Sequence, residues 1–123
     1  HGDSVNMRRM IAEIHHGFKP QLIVMDGIDI FVDGGPMTGK LVPADVMVAG
    51  TDLIAVEAVG LAVLKHHGSN DAIMSRGIFE QEQVARAVEL GLGVTSPGQI
   101  KIVTGDSESA AYAAKLNQVL AAG

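Results

Sequence analysis

Between Asp26 and Glu57 the chain reads DGIDIFVDGGPMTGKLVPADVMVAGTDLIAVE. Val- and Ile-rich runs flank a Gly-rich connector, and a Thr-Asp pair then opens an apolar helix pattern. A strand that passes into a helix through a polar turn is the repeating unit of α/β folds. The stretch also collects Asp26, Asp52 and free backbone donors at what read as two strand ends, where ligands of open α/β sheets bind.

The rest of the chain extends this pattern. Residues 4–16 read as a helix with Met7, Met10, Ile11 and Ile14 on one face, stopped by Gly17. Residues 21–26 read as a strand closed by Asp26-Gly27, with 28–32 a brief strand or an irregular lead-in. A loop is expected over 33–40 and a second strand over 45–49. A long helix follows over 53–67, ending at His66-His67-Gly68. Residues 69–77 carry no clear pattern. A helix is expected over 78–90, stopped by Gly91 and Gly93, then a Pro97-Gly98 turn. The third strand is IKIVT, 100–104, and an Ala-rich helix over 107–121 is opened by Asp106 or Ser107. Strands alternating with helices point to a three-layer α/β fold. Its sheet would be short and mostly parallel, with three to four strands and helices on both faces.

Composition removes several function classes. The 123 residues suffice for one domain, 1–123, with a real core. With 47% apolar residues, 3% aromatics and no Trp, that core must be aliphatic. Lys and Arg are scattered in a chain of net charge −5, which argues against nucleic acid and anionic membrane as partners. No apolar run reaches the roughly 20 residues of a membrane helix. With no Cys, this chain can ligate no iron–sulfur cluster, and a cytoplasmic location fits that composition. The chain opens at His1, without Met, and almost at once enters a helix pattern. We therefore expect a fragment of a larger domain, its C-terminal portion, with a trimmed tag as the alternative. Such a small sheet leaves edges for a parent chain or a second copy to cover.

Four groups of residues could carry chemistry. GGPMTGK, residues 34–40, satisfies the Gly-x-x-x-x-Gly-Lys part of a phosphate-binding loop. Leu41 replaces the magnesium-binding hydroxyl, however, and Pro43 opposes a helix start. What survives is a looser anion- or ligand-binding loop of Gly35, Pro36, Gly39 and Lys40, against a plain connector. Asp52 reads either as a helix cap or as a carboxylate facing the strand ends beside Asp26. Together Asp26 and Asp52 could hold a hard cation or act as acid and base. Glu57 interrupts an apolar helix, and must find a partner or face a cavity. The pairs His15-His16 and His66-His67 end helices without chelating spacing, where the helix dipole favours them.

MDGIDIFVDGGPMTGK, VMVAGTDLIAVEAVG, ARAVELGLG and IKIVTGD together resemble the uncharacterised prokaryotic family called domain of unknown function 362. The likeness rests on Asp26-Gly27, Gly35-Pro36, Gly39, Asp52, Ala55-Val56 and Leu90-Gly91-Leu92-Gly93. Glu57 stands where the family pattern implies Asp. Members are often linked to ferredoxin-type iron–sulfur modules. The resemblance therefore implies such a module as partner, redox or metal chemistry nearby, and a domain longer on its N-terminal side. It implies no particular reaction and no particular cofactor.

Two expectations follow, and they leave open whether the chain is an enzyme. In the first it is a metal- or small-molecule-dependent, redox-linked enzyme domain. Asp26, Asp52 and Glu57 would then form an acidic site, with Asp26 and Asp52 as metal ligands. In the second it is a non-catalytic structural or docking domain of an iron–sulfur protein. An exposed apolar patch without clustered carboxylates would mark that one.

Overall fold

The structure, a computed structural model, describes residues 4–14, 17, 22–33 and 39–123, in the first helix with side chains from Arg8 onward. The elements are α1 (Ser4–Ile14), β1 (Ile23–Asp33), β2 (Lys40–Gly50), α2 (Leu53–His67), α3 (Asp71–Met74), α4 (Glu82–Glu89) and α5 (Ser107–Ala122). Short 3-10 turns lie at Ile78–Glu80 and Pro97–Gln99.

Helix and strand are mixed, as expected, but the sheet is not. Among the described residues it has two strands, β1 and β2, and they run antiparallel. The Asp26-Gly27 pair does not end β1; it lies inside it, with Asp26 opposite Met47 and Gly27 opposite Val46. The local turn signal is absorbed by a β-bulge. The register slips between Gly27 and Asp29, and β2 places its extra residue there, with Asp45 at φ 51°. Asp tolerates this left-handed backbone better than most residues. Ile28 falls at the slip, and its N–H donates to Asp26 Oδ1 at 2.9 Å. The Gly-rich connector therefore joins two antiparallel strands. A phosphate-binding loop would instead lead into a helix.

The expected third strand is also absent. Residues 100–104 belong to no helix or strand, although Ile100 and Ile102 pack towards the core while Lys101 and Val103 face outward. That alternation is strand-like, but a strand also needs a ladder partner, and β2 does not supply one.

The core is centred on α2. Ile54, Ala58, Leu61 and Ala62 are buried among Ile78, Val84, Leu116 and Leu120. One face of α2 meets the sheet, and other faces meet α4 and α5. Asp52 caps its start and Gly68, at φ 79°, closes its end, so its bounds are those read from the sequence. The helix expected over 78–90 is broken at Gln81, whose backbone is extended, which leaves a 3-10 turn and α4. In α1 the expected stripe faces outward at Met10 and Ile14, while Ala12 is buried; the helix packs on α4.

Among the described residues, helices cover one face of the sheet rather than two. The outer face carries exposed Val24, Ile28, Phe31, Leu41 and Met47. Strands buried on one side alone are what an antiparallel hairpin allows; the continuous apolar runs had suggested cover on both.

Candidate functional site

A cleft of about 760 Å3 opens along the C-terminal half of β2. One wall is β2 itself over residues 44–50, and another is the segment 99–105, which leaves the 3-10 turn at Gln99. Asp52, Val56 and Val59 of the α2 region and Tyr112 and Leu116 of α5 also line it.

Asp52 is the most tightly engaged of the expected site residues. Its Oδ1 accepts the Ala55 N–H at 2.9 Å, a conventional N-cap. Its Oδ2 accepts the Val94 N–H at 3.0 Å, from a segment 42 residues away in sequence. One carboxylate thus caps α2 and straps the segment after α4 to it. The strap requires a glycine: a Cβ on Gly93 would lie 2.7 Å from Asp52 Cγ and Oδ2, and closer still to Oδ1. Sequence reasoning noted Gly93 as a helix stop; its partnership with Asp52 is non-local and carries no sequence signal.

The other expected residues are dispersed. Asp26 is exposed in the middle of β1, away from the strand end, and its carboxylate serves the bulge. It is not among the residues lining the cleft that Asp52 borders. Glu57 is half-buried on α2, and its Oε1 accepts a hydrogen bond from Gln83 Nε2 of α4. Gly35 and Pro36 lie outside the described residues. Gly39, at φ 136°, adopts backbone that favours glycine, and Lys40 is an exposed first residue of β2 opposite Asp33.

His15 and His16 also lie outside the described residues. His67 Nε2 lies 3.0 Å from the Tyr112 hydroxyl, and the His66 ring stands edge-on to Tyr112 at 5.6 Å. Burial, and then the neighbouring His66, hold the His67 pKa below its ordinary value of 6.5. Burial raises that of Tyr112 above 10.0. Among the described residues, no group of three or more His, Cys, Asp or Glu side chains is placed to hold a metal ion.

The family model described as "Domain of unknown function (DUF362)" matches residues 1–62, just over half of the 123. The chain belongs to that family. The DUF362 match takes in β1, β2, Asp52 and the first part of α2, including Ala55-Val56 and Glu57. Leu90-Gly91-Leu92-Gly93 and the 100–106 stretch lie beyond it. So Asp52 falls within the DUF362 match, while Gly93 and Val94, which complete its surroundings, do not. No curated protein and no solved structure matches the chain. No helix among the described residues is long and apolar enough to cross a membrane.

Proposed function

We propose that this DUF362 chain is a non-catalytic docking domain that receives a polypeptide partner along the open side of β2. The state of the sheet carries the reading: among the described residues β2 has a single neighbour, the outer face is apolar and exposed, and a cleft lies beside the C-terminal half of β2. Contiguous exposed apolar surface beside an open strand edge is what interaction domains present. The carboxylates offer less support to a catalytic reading, since Asp52 is committed to two backbone donors and Asp26 to one. The family resemblance makes a ferredoxin-type iron–sulfur module the partner to test first, with the cluster ligands supplied by that module. A cytoplasmic setting fits such a pair.

A metal- or small-molecule site remains as the second reading, because Asp52 borders the cleft together with Glu108, Ser109 and Lys101. Asp26, Glu57 and Lys40 would then act from outside that cleft. Titrating the isotope-labelled chain separately with a ferredoxin-type module and with manganese distinguishes the two. Docking predicts shifts over 44–50 and 99–105 with the module. Paramagnetic broadening centred on Asp52 with manganese, and no response to the module, would transfer the site to the second reading.

A further inference from the structure

The two walls of the cleft share an unusual property: each presents backbone with no ladder partner. Among the described residues β2 is paired with β1 on one side alone. In the other wall, residues 101–104 make no backbone–backbone hydrogen bond to a described residue, although Ile100 and Ile102 alternate with outward Lys101 and Val103 as strand residues do. Val103 is 81% exposed. The outer edge of β2 over residues 44–50 and the segment 101–104 therefore line one cleft with unspent donors and acceptors, while the N–H groups of Gln99 and Ile100 are taken by Ser96 and Pro97.

Exposed backbone edges of this kind are completed by another strand. A strand as long as residues 44–50 runs about 23 Å and occupies roughly 4.8 Å of sheet width by 10 Å of thickness, or on the order of 1,100 Å3. The cleft encloses about 760 Å3, less than that, so part of such a strand would stand in water. The floor, with Val56, Val59 and Leu116, is apolar, which suits alternate apolar side chains. The charged lining residues are Asp45, Asp52 and Glu108 against Lys101, so basic outward residues complement the rim. A second copy's β1–β2 hairpin does not fit, because its β2 already has a neighbour where the 99–105 wall would stand.

We infer that the cleft is a vacant strand position, filled in trans by one extended, basic and alternately apolar peptide segment of a partner. Pairing on both sides would make a four-stranded sheet of β1, β2, the partner segment and residues 100–104. This rests on the docking reading and specifies its occupant.

The test uses the 123-residue chain and a blocked heptapeptide alternating valine and lysine. Its control is the same peptide with alternate backbone amides N-methylated, which removes ladder donors and keeps the side chains. Amide hydrogen exchange is read by NMR. The expected result is at least tenfold slower exchange on both walls with the plain peptide, and at least tenfold weaker binding of the methylated one. Protection of β2 alone would overturn the two-sided slot. Equal binding of both peptides would overturn strand pairing and leave docking through side chains standing. No binding of either at millimolar concentration would also overturn the inference, whereas the docking reading fails separately, if the module titration is silent.

Discussion

Asp52 offers the sharpest test of how the chain is held together. A plain helix cap would make Asp52→Asn nearly silent, because Asn caps about as well as Asp. The structure predicts otherwise. The carboxylate accepts Ala55 N–H on one oxygen and Val94 N–H on the other, at 2.9 and 3.0 Å. An amide has one acceptor and one donor group, so Asn keeps one bond and turns its NH2 on the other N–H. A lost bond to a charged group costs about 1.5–3 kcal/mol. Because Asp52 is only half-buried, we expect the lower part of that range, about 1.5–2 kcal/mol. Asp52→Ala loses both bonds and should cost about 2–4 kcal/mol. Gly93→Ala should cost about 1–3 kcal/mol, because its methyl group must displace the same carboxylate. The three changes are coupled. In the Asp52→Ala background the obstacle is gone, so Gly93→Ala should cost at least about 1 kcal/mol less than it does alone. Urea unfolding followed by circular dichroism measures all four variants, and exchange of the Val94 amide reports the strap directly. Two results would refute the reasoning: an Asn variant within about 0.5 kcal/mol of wild type by the same scale, or additive costs in the double mutant.

Three further perturbations separate local from tertiary effects. Gly60→Ala places a methyl group 2.6 Å from Met25 Sδ. That thioether end is flexible and Ala gains up to about 1 kcal/mol of helix propensity, so unfolding should show a near-neutral or stabilising change; a loss above 2 kcal/mol would mean that α2 and β1 cannot adjust. Ile54→Ala opens a cavity at a residue 1% exposed and should cost about 2–5 kcal/mol in denaturant melts. His67 has a lowered folded pKa, so the unfolded chain binds its proton first as pH falls. Its contribution is therefore present above 6.5 and is lost as pH falls below that value towards the folded pKa. Melts between pH 7.5 and 5 should show a shallower loss of stability in His67→Gln than in wild type, and equal slopes would remove His67 from the account.

The sequence by itself determined the elements that close within a few residues. Asp52 and Gly68 mark the ends of α2, and Asp106 opens α5 by accepting the Ser109 N–H at 2.7 Å. These are bonds between near neighbours, and the residue types that make them are visible in the chain. The family was legible too, through the order and spacing of its Asp and Gly motifs. Tertiary structure decided the rest. Asp26-Gly27 reads locally as a turn, but pairing with β2 carries β1 through it and leaves a bulge. A six-residue apolar run does not say whether its neighbours will be parallel or whether one face will stay open, and here both matters went against the local pattern. Residues 100–104 have strand-like alternation and no partner, because a ladder belongs to two segments. The strap from Asp52 to Val94, and the need for Gly93 beneath it, join segments 42 residues apart. No periodicity or spacing encodes a contact of that kind; it exists once α2, α4 and the segment between α4 and α5 have packed around one core.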